Sequence, residues 1–236
     1  METLVFYSSK NSKGKKDATA VFIPESQKFA TVNSVSASQN CVISVDCTQT
    51  KDERKKDVIR EILCAGSIVS KPIDAIAFFC HGWTGGIQVG IWKKDIKEFV
   101  QALIKSCSKS LIITLYACLT AENDVPDNDW ARPGPGTDGG FADLLRDEMG
   151  RQGFVGHVDA HKTAGHASMN PYVVRFECSG IDDLVRGGRG GKWLIPRGTF
   201  WGVWSQALHD PANTLRYRFP FMSSSQIIYE LSTGRV

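Results

Sequence analysis

Two apolar segments decide the fold: IDAIAFFC at residues 73–80 and LIITLYA at residues 111–117. Each is apolar almost without interruption, which predicts a strand covered on both faces. The first segment is followed by His81 and Gly82, and the second by Cys118. In open α/β sheets, sites form beyond the carboxyl ends of the strands. We therefore expect His81 and Cys118 to lie at the same edge of a sheet.

The other elements follow from apolar periodicity. Further strands are predicted at TLVFYS (3–8), AVFIP (20–24), CVISVD (41–46), FVGHVDA (154–160) and YVVRFE (172–177). Helices are predicted over residues 51–66, ending at Gly66, from Ile96 to Cys107, and from Phe141 to Met149 with Asp138 near the start. The alternation predicts an α/β fold, a three-layer αβα sandwich with a mostly parallel central sheet.

The length of 236 residues suits one domain spanning residues 1–236. Its Gly-, Arg- and Trp-rich portion, residues 178–236, is expected to wrap the same domain, without a helix before about Ser223. Bases and aromatic residues alternate over residues 186–218, but no nucleic-acid motif accompanies them. The net charge of +3 is also small, so we expect no nucleic-acid partner.

No run of eighteen apolar residues is present, so we expect no membrane partner. The first residues, METLVFYSSKNSKGKK, lack a positive leader before the apolar patch, which favours a cytoplasmic protein over a secreted one. The seven cysteines fit that expectation, because their number is odd and several lie in apolar patterns typical of reduced core thiols.

Histidine and cysteine at neighbouring strand ends suggest nucleophilic catalysis. A thiolate is a strong nucleophile, and a nearby imidazole favours its formation and then donates a proton to a leaving group. Gly82 has no side chain, so its backbone N–H can approach a developing oxyanion. Cys118 begins a turn, and its own N–H would be the second donor of an oxyanion hole.

The two blocks IAFFCHG and LIITLYAC, in this order, resemble those of the caspase-type cysteine peptidases of clan CD. That group includes caspases, metacaspases, clostripain- and gingipain-like enzymes, separases and CHAT domains, and the resemblance covers roughly residues 42–160. It implies a cysteine endopeptidase that cleaves proteins or peptides. Cys118 would attack the peptide carbonyl, His81 would protonate the leaving amine, and the N–H groups of Gly82 and Cys118 would hold the oxyanion.

The chain departs from the caspases themselves. Their nucleophile lies in Gln-Ala-Cys-x-Gly, with the histidine about 50 residues upstream. Here the sequence is Tyr116-Ala117-Cys118-Leu119-Thr120, and His81 lies 37 residues before Cys118. The nearest resemblance is therefore to CHAT, clostripain-like and metacaspase-like members, without a predicted preference for Asp.

Two other functions compete with this interpretation. A catalytically inactive member would keep the fold as a protein-binding module. An esterase of the α/β-hydrolase type would use the His-Gly segment as an oxyanion loop, with His209 as the late histidine, but its G-x-S-x-G nucleophile elbow is absent from the sequence.

Acidic residues follow the proposed nucleophile: Glu122, Asp124, Asp127, Asp129 and Asp138. Such a loop would select a basic residue of a substrate or bind Ca²⁺, and a solvated polar loop is the alternative. We take Glu122 and Asp124, with Asp159 and His157 of the following strand, as candidate substrate-binding residues. No cofactor is predicted apart from this alternative of Ca²⁺.

Three of the five histidines lie close together in the sequence, at His157, His161 and His166. Neutral imidazoles suit zinc, but this spacing is not that of HExxH. We favour a strand-end loop that lines the cleft over a metal site.

Overall fold

The computed structural model describes residues 1–10, 19–33, 41–68, 71–122, 139–164, 173–180, 191–194 and 219–233. The strands are β1 (Thr3–Lys10), β2 (Val42–Asp46), β3 (Ile73–Phe79), β4 (Gly82–Trp83), β5 (Gly86–Ile87), β6 (Cys107–Tyr116), β7 (His157–His161), β8 (Val173–Glu177) and β9 (Lys192–Trp193). The α-helices are α1 (Thr19–Val32), α2 (Lys51–Ile68), α3 (Ile96–Ser106), α4 (Phe141–Arg151) and α5 (Ser224–Thr233).

In the part of the chain that the structure describes, seven strands form one mostly parallel sheet in the order β2-β1-β3-β6-β7-β8-β9. The pairs from β2 to β7 are parallel, whereas β8 and β9 are antiparallel to their neighbours. The short strands β4 and β5 form a separate hairpin that follows β3. The chain is thus α/β with a mostly parallel central sheet, as predicted.

Alternate residues of the central strands enter two different cores. Phe6 and Phe78 pack among residues of α2, α3 and α4 on one face. Val5 and Phe79 pack with Phe22 and Phe29 of α1 on the other. Helices therefore cover both faces of the sheet, an arrangement consistent with a three-layer sandwich. This explains why the central strands are apolar at nearly every position.

The predicted strand at residues 20–24 is wrong, because this segment lies inside helix α1. A short apolar run does not distinguish a strand from a helix by itself. The helical signal is the spacing of the buried positions Phe22, Ser26, Phe29 and Ala30, which recur every three or four residues. Pro24 lies inside the helix on its exposed side and costs one backbone hydrogen bond there.

Helix α2 does not end at Gly66, as predicted, but continues to Ile68. A Cβ atom at Gly66 would lie 2.5 Å from the Cβ of Ser106, so this glycine allows α2 to approach the end of α3. The start of α2 is a capping box, in which the Thr50 N–H donates to Glu53 Oε2 (2.8 Å) and the Glu53 N–H donates to Thr50 Oγ1 (3.4 Å).

Two other predicted boundaries also differ from the structure. Cys107, predicted as the last helical position, instead begins β6. Strand β7 begins at His157 rather than at residue 154. The neighbouring strands explain both differences, since Cys107 pairs with Ile73 and His157 pairs with Ile112. The helix predicted over residues 141–149 is confirmed as α4.

Between β1 and β3 the strand order reverses its direction along the sheet. The chain goes outward from β1 to β2 and then returns past β1 to β3, β6 and β7. Such a topological switch point opens a crevice beyond the carboxyl ends of the two strands, where open α/β sheets bind their ligands. His81 and the β4–β5 hairpin follow β3 at this edge.

Helix α5 begins at Ser224, close to the predicted start at about Ser223. Most of the preceding C-terminal portion lies outside the described residues, so the prediction that it contains no helix stays a prediction. Just before it, the turn at residues 219–221 packs on the α1 face, where Phe221 meets Phe29 with ring centroids 5.7 Å apart. Among the described residues, no helix is both long and apolar enough to cross a membrane. The single-domain boundary and the cytoplasmic location stay predictions.

We expect Phe78→Ala to lower the free energy of unfolding by about 3–5 kcal/mol, because it opens a cavity in the core beneath β3. The Phe78 ring stacks on Phe6 with centroids 5.2 Å apart and meets the edge of Phe99 at 6.2 Å. Chemical denaturation measures the loss. Val155→Ala is the control, since Val155 is 67% exposed and its truncation should change stability by about 0.5 kcal/mol or less. Equal losses of stability in the two variants would contradict the burial of Phe78 in this core.

Candidate active site

The pairing of β3 with β6 places His81 and Cys118 at the same edge of the sheet. The two strands are parallel, and their last paired residues are Phe79 and Tyr116. The Cys80 N–H continues the pairing by donating to the Tyr116 carbonyl (3.4 Å). His81 and Cys118 each lie two residues beyond the last pair. Their predicted position at neighbouring carboxyl ends is therefore confirmed, whereas their chemical roles stay predictions.

Gly82 packs directly against the turn that contains Cys118. A Cβ atom at Gly82 would lie 2.8 Å from the Cys118 carbonyl oxygen and 2.7 Å from Cγ2 of Thr120. Both distances are shorter than real Cβ contacts, so only glycine permits this approach. The backbones of the two predicted oxyanion-hole residues are therefore neighbours.

The turn after β6 has an unusual backbone conformation at Leu119, which has a φ of 59°. Few residues other than glycine adopt this left-handed conformation, and the surroundings must hold it in place. Thr120 Oγ1 donates to the Ala117 carbonyl (2.9 Å), and the Ala121 N–H donates to the carbonyl of His161 at the end of β7 (3.0 Å). These bonds fix the backbone on both sides of Cys118.

His81 is half-buried between α1 and the β4–β5 hairpin. Its ring meets the edge of the Phe22 ring, with centroids 5.1 Å apart and planes at 78°. Its backbone bonds to Gln88, the residue that follows the hairpin. The segment from His81 to Gln88 therefore forms one compact loop at the switch point.

The remaining thiols differ from Cys118 in their surroundings. Burial raises the pKa of Cys107 and of Cys178 to about 12. Burial also raises the pKa of Cys80, with a smaller contribution from Cys47 and Cys118. Cys64 is exposed on α2, and Cys118 is half-buried at the sheet edge. Cys64 therefore provides an accessible reference thiol, and the thiols with a raised pKa are poorly ionised at neutral pH.

Two of the predicted substrate-binding residues lie in the acidic loop. Glu122 is half-buried in the turn after Cys118, where its N–H donates to the Leu119 carbonyl (3.2 Å) and its own carbonyl packs against Gly140. Asp124 lies outside the described residues. For both residues, a role in substrate binding stays a prediction.

Asp159 lies on β7 and is fully buried. Its carboxylate binds the guanidinium of its cross-strand neighbour Arg175 on β8 at two points, with distances of 2.8 and 2.9 Å. Burial disfavours the charged guanidinium, but the Asp159 carboxylate more than compensates and raises the pKa of Arg175. Both carboxylate oxygens of Asp159 are thus already engaged within the protein, and its predicted contact with a substrate stays a prediction.

His157 lies at the opposite end of β7 from the turn around Cys118. Its Nε2 is 3.2 Å from the Pro220 carbonyl and 3.6 Å from Asp159 Oδ2. Burial lowers the pKa of His157, although the nearby Asp159 carboxylate opposes that effect. The structure thus separates His157 from His81 and Cys118, and a role in substrate binding stays a prediction.

The other histidines of the cluster do not join His157 at one point. His161, at the far end of β7, faces the Tyr116 ring with centroids 6.0 Å apart, and His166 lies outside the described residues. Within the described ranges, no three His, Cys, Asp or Glu side chains are grouped so that they could hold a metal ion. The Ca²⁺ alternative concerns the loop at residues 123–138, which is also outside those ranges.

Sequence reasoning missed three residues that shape this site: Phe22, Gln88 and Leu119. The short apolar run around Phe22 predicts a strand, although the spacing of Phe22 from Phe29 fits the helix in which both lie. Gln88 and Leu119 leave no recognisable sequence signal, because one acts through hydrogen bonds across loops and the other through its backbone conformation.

Comparisons of the chain with protein-family models, with curated proteins and with solved structures gave no match. The fold and the site by themselves define an α/β protein in which a histidine and a cysteine follow the carboxyl ends of two neighbouring parallel strands.

We expect Asp159→Asn to destabilise the fold by about 3–5 kcal/mol, because it leaves the Arg175 charge buried without its carboxylate. Thermal and chemical denaturation measure the loss. Asp57→Asn is the matched control, since it breaks a pair on the surface of α2 in which Arg60 is exposed and Asp57 is half-buried, and it should have little effect. A variant of Asp159 as stable as the wild type would contradict a structural role for this ion pair.

The lowered pKa of His157 predicts that acid destabilises the protein. Below the ordinary pKa of 6.5, the unfolded chain takes up a proton that folded His157 resists, so the free energy of unfolding falls until the folded pKa is reached. His157→Gln keeps a donor for the Pro220 carbonyl but cannot titrate. Denaturation between pH 7 and pH 5 should show a slope that is smaller in the variant by at most about 1.4 kcal/mol per pH unit. Equal slopes would contradict the prediction.

Proposed function

We propose that the chain is a cysteine endopeptidase of the caspase type, with a catalytic dyad of His81 and Cys118. The observation that carries the proposal is the register of β3 and β6, which ends at Phe79 and Tyr116 and leaves the two residues at equivalent positions of neighbouring parallel strands. A buried cysteine or a strand-end histidine is common by itself. Their convergence at the switch-point edge of an α/β sheet favours chemistry there.

In the proposed mechanism, the imidazole of His81 accepts the proton of the Cys118 thiol. The thiolate forms a bond to the carbonyl carbon of the scissile peptide, and the carbonyl π electrons move to the oxygen. As the tetrahedral intermediate collapses, the C–N bond breaks and His81 delivers its proton to the leaving amine. Water then hydrolyses the thioester and restores the thiol.

The oxyanion of this intermediate would be held by the N–H groups of Gly82 and Cys118. The Gln88 N–H donates to the His81 carbonyl (2.9 Å), and the next pair in the hairpin is Gly82 with Ile87. In antiparallel strands, hydrogen-bonded pairs alternate with pairs that exchange no backbone hydrogen bond. Gly82 and Ile87 form a pair of the second kind. The hairpin ladder therefore does not use the Gly82 N–H. Support for this arrangement is the close packing of Gly82 against the Cys118 carbonyl.

An esterase of the α/β-hydrolase type has less support. Such an esterase requires a serine at a sharp elbow between a strand and a helix. In this chain, the central strand β6 is followed by Ala117 and then by Cys118. The histidine of the pair also precedes the nucleophile in the chain. Ester hydrolysis that survives Cys118→Ala would depend on another residue and would favour this alternative over the peptidase.

Alkylation with iodoacetamide tests the dyad without knowledge of the natural substrate. At pH 7, Cys118 should react about tenfold or more faster than the exposed Cys64. Cys107 and Cys178, whose pKa values are raised, should react slowest. His81→Ala should remove the advantage of Cys118 while leaving Cys64 unchanged. Peptide mass mapping after a timed exposure gives each rate.

Hydrolysis of a fluorescently labelled, unfolded casein measures the activity itself. We expect Cys118→Ser and His81→Ala to reduce cleavage by about 10²–10⁴-fold. His161→Ala is the matched control for the loss of an imidazole near the same strand ends. If Cys118 reacts no faster than Cys64 and casein is not cleaved, the peptidase proposal is wrong, and the inactive binding module becomes the better interpretation.

A further inference from the structure

We infer that Gln88 is a positioning residue that holds His81 in place through two hydrogen bonds to its backbone. The inference rests on the proposed function, because it assigns Gln88 a role only through His81. Gln88 lies just after β5, seven residues beyond His81. It does not belong to either of the strands that carry the proposed dyad.

The two bonds run in opposite directions. The Gln88 N–H donates to the His81 carbonyl (2.9 Å), and the His81 N–H donates to Gln88 Oε1 (3.3 Å). A backbone N–H can only donate, so the oxygen of the side-chain amide must face it. Both polar groups of the His81 backbone are thus satisfied by a single residue.

Gln88 is itself held from two neighbouring elements. Ser8, at the carboxyl end of β1, donates its hydroxyl to the same Oε1 atom (3.0 Å). Arg54 of α2 donates its Nε–H to the Gln88 carbonyl (2.8 Å). The same guanidinium also bonds to the carbonyls of Cys47 and Gln49. Gln88 therefore connects the ends of β1 and β3 across the switch point.

This anchoring matters because β3 has already ended at Phe79, so the sheet ladder no longer restrains His81. The Phe22 ring contacts the imidazole edge-on, but a ring contact of this kind does not fix the backbone. Displacement of a catalytic group by about 1 Å can cost about 100-fold in rate. Without the Oε1 acceptor, the His81 N–H would lose its partner, and only the bond to the His81 carbonyl would still hold this backbone.

The test compares Gln88→Met, which removes the acceptor at similar length, with Gln88→Glu, which retains an acceptor oxygen. Gln152→Met is the matched control. Gln152 is also half-buried, but it lies at the opposite edge of the sheet. Its backbone carbonyl accepts a hydrogen bond from the Lys109 side chain (3.0 Å), near the start of β6. Iodoacetamide is the probe, because it reports on the thiol and needs no substrate pocket.

We expect Gln88→Met to reduce the alkylation rate of Cys118 about 10- to 100-fold and to leave the rate of Cys64 unchanged. Gln88→Glu should restore most of the Cys118 rate, and Gln152→Met should not alter it. Amide hydrogen exchange should also be faster at His81 in Gln88→Met than in Gln88→Glu. Both readouts require only that the variants are folded, which circular dichroism verifies.

A wild-type rate for Cys118 in folded Gln88→Met would overturn the inference, and so would equal losses in Gln88→Met and Gln88→Glu. Failure of the proposed function gives a different result, since Cys118 of the wild type would then react no faster than Cys64. The two failures are therefore distinguishable in the same experiment.

Discussion

The parallel pairing of β3 with β6 is the constraint on which the rest of the structure depends. Both strands are buried on both faces toward their carboxyl ends. Their last pair, Phe79 and Tyr116, stacks at 4.4 Å with nearly parallel rings. Because side chains alternate between the two faces, a shift of one residue in this register would move each apolar residue into the wrong core. The same register determines which residues emerge together at the carboxyl edge, and it therefore connects core packing with the candidate chemistry.

Beyond the strand ends, regular backbone hydrogen bonding stops, and other interactions must position the functional groups. On the β3 side, the hairpin and Gln88 supply the lost backbone bonds. On the β6 side, Leu119 adopts a left-handed conformation that the bonds of Thr120 and Ala121 maintain. Gly82 brings the two sides into contact. A rigid sheet thus carries two short, tightly bonded turns, which suits a site that requires fixed geometry.

Much of this arrangement could be predicted from residue patterns. The central strands, the helices α3 and α4, and the strand-end positions of His81 and Cys118 follow from long apolar periods. Helix α1 could not be recognised from the short apolar run that begins it, and the role of Gly66 depends on the approach of Ser106 from another helix. The sequence predicts substrate-binding roles for Asp159 and His157 but not their partners in the fold, which are Arg175 and the Pro220 carbonyl. Polar partners distant in sequence leave no local pattern.

By itself, the sequence determined the α/β class and the two residues that end the central strands, because burial on both faces imposes an apolar pattern that is visible in one dimension. Only the tertiary structure decided the strand order, the contact of Gly82 with the Cys118 turn and the bonding of Gln88 to His81. These features arise where segments separated by many residues meet, and hydrogen bonds between them require only a donor and an acceptor at the right distance. Such bonds place little demand on residue type, so they appear only when the chain is folded.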